Sequence, residues 1–186
     1  MENLESDPAV IYWLDPDLRI VHCNAAWDRF ALQNGGHGLE RVHQVNRPLM
    51  DVIAQPLKNF YAESYGLVLS SGKPFEYTYE CSSALVFRTI RMMTYPDPER
   101  DGLIVVNSVE MERPHDSMQR PPCPPAAALY RDKHGIMTAC CHCRRTRRAR
   151  QAAVWDWVPG FVDQPPEAVS HGICEVCMNV FYPKYV

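Results

Sequence analysis

The sequence predicts an α+β protein with a small cysteine-rich module behind it. Three observations carry that expectation. Apolar patterns follow one another as two strands, then helices, then three strands. The stretch "RPHDSMQRPPCPPAAA", residues 113–128, then breaks all hydrophobic periodicity with five prolines. Beyond it stand two CxxC pairs, Cys140/Cys143 and Cys174/Cys177, with thirty residues between them.

The elements follow in order. "AVIYWLD" is a short apolar strand closed by the turn "DPDL", and "RIVHCN" is the second strand of the resulting hairpin. "AAWDRFALQNGG" predicts a short helix with Trp27, Phe30 and Ala31 on one face, stopped by Gly35 and Gly36. A looser segment, 37–55, holds one possible turn at "PLMDVI". The strongest helix is "PLKNFYAESYGLVLSSG". Leu57, Phe60, Tyr61, Ser64, Tyr65 and Val68 recur at helical spacing, Pro56 sits near its start, and Gly72 ends it. Three strands complete the set: "PFEYTYEC", "LVFRTIRMMTY" and "GLIVVNSVEM". The first alternates, with Phe75, Tyr77, Tyr79 and Cys81 opposite Glu76, Thr78 and Glu80. The predicted organisation is one domain at 7–112, a semi-rigid linker at 113–128, and a smaller module at 129–186.

Hydrophobic residues make up 46% of the chain, which is the composition of a folded protein. A formal net charge of −3 gives no global attraction to nucleic acid or to an acidic membrane. The acidic start "MENLESDPAVIYWLDPD" is unlike a signal peptide. No apolar run reaches the length of roughly 18 residues that a membrane span needs. The expected location is the cytoplasm. Thiols stay reduced there, so eight cysteines point to metal ligation rather than disulfides.

The element order and the run "LDPDLRIVHCNAAWDRFALQNG" resemble a PAS domain over about 7–112. The resemblance implies a five-stranded antiparallel sheet that curls around a pocket and is covered by a long helix, in a module used for sensing or docking. Asn24 falls where the second strand hands over to the first helix. Tyr61, Tyr65, Tyr79, Arg91 and Asn107 are polar-tipped groups on elements bordering such a pocket and are the candidate ligand contacts; Tyr77 and Arg88 lie on the same elements. Strand alternation separates Arg88 from Arg91, so only one of them can face inward. Haem is not favoured: it needs an axial ligand, the long helix has no histidine, and His22, His37 and His43 lie elsewhere. Cys23 lacks the helical motif of the flavin-binding version of the fold and reads as a core residue.

The paired two-residue spacing of Cys140, Cys143, Cys174 and Cys177 predicts one tetrahedral zinc site. Four thiolates close the shell and leave no position for water, so this zinc is expected to be structural. A module of this size also buries little core, which makes a metal staple useful. Cys141, His142 and His171 are alternative ligands within the same motifs. The run "CCHCRRTRR…WDWVPGFV…SHGICEVCMNVFYP" resembles the zinc-ribbon-like cysteine-rich tails found beside PAS and receiver domains in bacterial signalling proteins. Arg144, Arg145, Arg147, Arg148 and Arg150 keep a phosphate-contacting role open, but no aromatics are interleaved with them.

Together these readings predict a non-enzymatic sensor or adaptor. Its output would pass through a signalling partner or a homodimer, since the chain holds no recognisable output segment. A haem- or redox-responsive sensor and a nucleic-acid-binding regulator are the alternatives.

Overall fold

A computed structural model describes residues 2–34, 36, 38–116 and 119–185. Gly35 and His37 of the sequence reading lie outside the described residues. The elements are α1 (Glu2–Glu5), β1 (Val10–Leu14), β2 (Ile20–Cys23), α2 (Ala25–Gln33), α3 (Arg41–Gln44), α4 (Lys58–Ser71), β3 (Phe75–Glu80), β4 (Val86–Asp97) and β5 (Gly102–Pro114). They are followed by α5 (Ala127–Tyr130), β6 (Met137–Cys140), β7 (Thr146–Arg148), β8 (Gln151–Asp156), α6 (Pro159–Asp163), β9 (Val169–Gly172) and α7 (Glu175–Phe181). The chain forms two compact units. One comprises Met1–Ile53, Leu57–Thr78 and Ile90–Val109; the other comprises Ala54–Pro56, Tyr79–Thr89 and Glu110–Val186.

Five strands form an antiparallel sheet in the order β2-β1-β5-β4-β3. The β1–β2 hairpin is set by Asp15, whose Oδ1 accepts the amides of Asp17 and Arg19 at 3.0 and 2.8 Å. An aspartate that bonds the backbone just ahead of it fixes a turn in this way. β1 runs antiparallel to β2 on one side and to β5 on the other, with Tyr12 opposite Cys23 and Val105. Short connections force the same antiparallel sense on β3–β4 and β4–β5. Gly102 opens β5 because its backbone lies against the Leu14 carbonyl, and a Cβ there would overlap that oxygen.

The first unit's core is built on β1, β4, β5 and one face of α4. Ile11, Leu14, Ile20, Met92, Leu103 and Val105 are buried, together with Tyr61, Tyr65 and Val68 at helical spacing. Gly72 terminates α4 in the left-handed conformation (φ 68°), and its amide bonds to the Val68 carbonyl at 2.9 Å. Glycine takes that conformation without a Cβ penalty. The turn expected at "PLMDVI" is a single 3-10 turn, Leu49–Asp51.

Asn24 has a role the resemblance did not spell out. It stands at the N-cap of α2, yet its side chain makes no cap bond. It is fully buried instead: Oδ1 accepts the Ile11 amide at 3.0 Å, and Nδ2 donates to the carbonyls of Leu4 and Ala9 at 3.1 and 2.9 Å. This one amide stitches the N-terminal segment to β1.

The second unit contains a four-stranded mixed sheet, β8-β7-β6-β9. β6 is antiparallel to β7 but parallel to β9, with Ala139 opposite Thr146 and His171 respectively. Tyr130, Met137 and Val158 form a small core with Cys123, Ala127 and Phe161. Cys123 and Pro122 lie along Trp157, with the Cys123 amide bonded to the Trp157 carbonyl at 2.7 Å.

Candidate metal centre

β6 delivers Cys140 to the end of the sheet, where the chain folds back in a tight turn. The Arg144 amide bonds to the Cys140 carbonyl at 3.1 Å, and the Cys140 amide bonds to the Arg145 carbonyl at 2.8 Å. Arg144 takes a left-handed conformation (φ 61°), which lets the turn close into β7. That state is uncommon for a residue with a side chain. The second knuckle is a helix start. Cys174 is the N-cap of α7, and Cys177 lies in its first turn. The parallel β6–β9 pair brings the knuckles together, and the Cys141 amide bonds across to the Gly172 carbonyl at 2.8 Å.

The Sγ atoms of Cys140, Cys143, Cys174 and Cys177 all lie within 4.8 Å of one another, and all four residues are buried. Trp155, Ile173 and Phe181 pack around them. The spacing fits a metal. Four sulfurs at ~2.3 Å from a tetrahedral ion stand about 3.8 Å apart along each edge. Cys143 and Cys174 are 3.6 Å apart. That separation is far beyond a disulfide bond of about 2.05 Å, and all eight cysteines are free thiols. The backbone is arranged for sulfur that carries charge. The Cys174 amide points at the Cys140 sulfur and the Cys177 amide at the Cys174 sulfur, both at 3.4 Å. Such bonds favour the charged form of the acceptor. Hydrogen bonds from Cys141, Cys143, Cys174 and Cys177 hold Cys140 well below the ordinary thiol range, while the same crowding pushes Cys177 and Cys143 up. The Cys140 thiolate is thus favoured by its neighbours, and the four sulfurs together could hold a metal ion. Cys141 and His171 stand outside the cluster.

His142 supports the knuckle from behind. Nδ1 lies 2.8 Å from the Glu80 carbonyl. A carbonyl can only accept, so Nδ1 carries the proton. Nε2 therefore accepts from the Tyr182 hydroxyl at 2.6 Å. The ring stacks on Tyr182 and contacts Tyr79 and Phe181. Burial keeps this imidazole neutral by lowering its pKa. A buried ion pair stands beside it: Arg120 donates to Glu80 at 2.8 Å and to the Cys143 carbonyl at 3.3 Å, and Ser82 donates to the same Glu80 oxygen at 2.5 Å. Sequence reasoning missed these supports. The nearest signal was the histidine inside the CxxC itself.

The arginine run is largely held within the unit. Arg148 grips Asp156 with Nε at 2.6 Å and Nη2 at 3.3 Å, and the Tyr130 hydroxyl bonds to the same carboxylate at 2.9 Å. Burial would raise Asp156, but the bonds from Arg148 and Tyr130 outweigh it and hold the carboxyl below its usual value. Arg147 donates to Thr138 and lies over Trp155, and Arg144 donates to the Ser82 carbonyl.

The candidate pocket residues are dispersed. Tyr61 and Tyr65 are buried neighbours on α4. The Tyr65 hydroxyl lies 3.1 Å from that of Tyr12, which also bonds to Asn107. Burial pushes Tyr12 up to about 12. Arg91 is half exposed and pairs with Glu76 at 2.7 Å; Arg88 is the inward-facing arginine of β4 and pairs with Glu112 at 2.6 Å. Tyr79 sits against His142 in the second unit. Cys23 is fully buried, and burial lifts its thiol to about 12. His22 is exposed and bonded to Glu5, and His43 is exposed.

No protein-family model matches the chain, and no curated protein does. Among solved structures it is similar to a domain of an HTR-like protein from Haloarcula marismortui ATCC 43049, at 17% identity and TM-score 0.42 over 56% of this chain and 100% of that one. A PAS domain from Colwellia psychrerythraea aligns at 13% identity and TM-score 0.40, covering 58% of this chain and 91% of its own. VqmA of Vibrio cholerae aligns at 13% identity and TM-score 0.43, covering 59% of this chain. This chain spans about half of VqmA, 49% of its length.

Proposed function

We propose that this protein is a non-enzymatic signal-transduction sensor or adaptor in which a PAS-like domain precedes a module closed by one structural zinc ion. The observation that carries the reading is the cluster of four buried sulfurs. Cys140, Cys143, Cys174 and Cys177 would hold the ion, and a complete sulfur shell leaves it no site for substrate or water. Its contribution is to folding: apparent binding energies of structural zinc in small modules run to about 10–16 kcal/mol. The two knuckles, one on a turn and one on a helix start, would hold the ion between them in a zinc-ribbon-like module.

For the first unit the five-stranded sheet with α4 supports the PAS-like reading, and with it ligand sensing or docking. The Thr94 hydroxyl is buried without a hydrogen-bond partner among the described residues. Output passes to a signalling partner or to a second copy of the chain. The membrane takes no part in this reading, and no helix among the described residues is long and apolar enough to cross one. We assign the protein to the cytoplasm, where its thiols remain reduced. Native mass spectrometry of the purified chain tests the proposal in one measurement. One zinc per chain, with no haem, is the expected result. A bound haem, confirmed by a Soret band, would replace this reading with the haem-sensor alternative.

A further inference from the structure

Within the second unit a cleft of about 110 Å³ is lined by Phe87, Arg113, His115, Asp116, Arg120 and Arg145, with Gln119 at its edge. We propose that this cleft binds a compact oxyanion, the phosphate or carboxylate head of a small ligand. Three arginines, Arg113, Arg120 and Arg145, are among its lining residues. The Arg120 charge is met by Glu80, and Asp116 is the carboxylate among the lining residues. Arg113 and Arg145 have no salt bridge to any carboxylate among the described residues, so the cleft keeps an uncompensated positive charge.

Two of the arginines are held against aromatic rings. Arg113 lies over the Phe87 ring at 5.0 Å, and Arg120 is flanked by Phe87 at 5.9 Å and Trp157 at 5.1 Å. A guanidinium held against an aromatic face can still offer N–H groups to the fork geometry of carboxylate and phosphate. His115 packs on Trp157 at 4.5 Å and donates from Nε2 to the Ser83 carbonyl at 2.9 Å, leaving Nδ1 as its remaining polar atom. Burial lowers the His115 pKa; the Ser83 carbonyl and Glu80 oppose this, and Arg120 and Arg113 add to it.

The proposal rests on the metal reading only through Arg145, whose backbone closes the Cys140 turn. Zinc content measured on the same samples therefore separates the two failures. The test is calorimetric titration of the full zinc-loaded chain with sodium phosphate, and separately with sodium acetate, at constant ionic strength against sodium chloride. Saturable binding of phosphate at one site per chain is expected. Arg113→Gln and Arg145→Gln should each weaken it at least about tenfold, with zinc content and melting temperature unchanged. Acetate binding with the same arginine dependence would assign the site to carboxylate heads. Absence of saturable binding of either anion, or binding that Arg113→Gln leaves intact, would overturn the proposal.

Discussion

Replacing Arg120 with methionine should loosen the grip of the second unit on its metal by two orders of magnitude or more. The Arg120 side chain is 10% exposed and that of its partner Glu80 7%, so this is a buried pair. Methionine keeps an apolar stem but removes the guanidinium, which lies 5.9 Å from the Phe87 ring and 5.1 Å from the Trp157 ring, so the change removes charge, hydrogen bonds and those ring contacts. Glu80 would retain the Ser82 hydroxyl as its side-chain donor. Removing one partner of a buried ion pair costs about 3–5 kcal/mol, because the other charge remains buried. Metal binding and folding are one equilibrium in such a unit, so the loss appears as an apparent zinc affinity weaker by roughly a hundredfold to several thousandfold. Competition with a chromogenic chelator reads this directly. Adding Glu80→Gln to Arg120→Met removes the stranded charge and should restore most of the affinity. The reasoning fails if Arg120→Met holds zinc within about twofold of the wild type, or if the double variant is as weak as Arg120→Met alone.

Other outcomes follow from the same geometry. Asn24→Ala strands the Ile11 amide and the Leu4 and Ala9 carbonyls. It should destabilise the first unit by about 3 kcal/mol. Asn24→Asp should not rescue it, since a carboxylate cannot donate; urea unfolding followed by Trp13 and Trp27 fluorescence measures both. His142→Phe should leave zinc stoichiometry unchanged while raising sensitivity to chelators, because His142 holds the knuckle to Glu80 and Tyr182 without ligating; loss of the metal stoichiometry itself would count against that role. His115 has a folded pKa below its ordinary 6.5, so the unfolded chain binds its proton first as pH falls. Stability from this group is complete above about pH 6.5 and declines below it toward the lower folded value. The drop in urea midpoint on acidification should therefore be smaller in His115→Asn than in the wild type, and an identical drop would refute the assignment.

Much of this was legible because it is local. A strand of period two, a helix face at Tyr61, Ser64, Tyr65 and Val68, a left-handed Gly72 and a CxxC knuckle are each encoded within a few residues. The convergence of two knuckles also follows from spacing, since tetrahedral sulfur ligation needs two from each. Long-range partners were not legible. Glu80 and His142 are sixty-two positions apart, and no periodicity links a strand end to a knuckle. Alternation on β4 separates Arg88 from Arg91 but cannot say which face is buried; the side-chain exposures, 11% for Arg88 and 49% for Arg91, show Arg88 turned inward and Arg91 outward. The arginine run looked like one basic strip because sequence shows charge without its partners. Asp156, Thr138 and the Ser82 carbonyl take up three of those side chains. The parallel β6–β9 pairing was equally invisible, because nothing in either strand states the direction of its neighbour.

X-ray absorption at the zinc edge, on the intact chain purified under reducing conditions with its metal content quantified, tests the central claim most directly. The account predicts one zinc per chain with four sulfur neighbours at ~2.3 Å and no nitrogen or oxygen in the shell. Metal-free protein that is fully folded, a disulfide joining any of Cys140, Cys143, Cys174 and Cys177, or a shell containing a histidine nitrogen would contradict it.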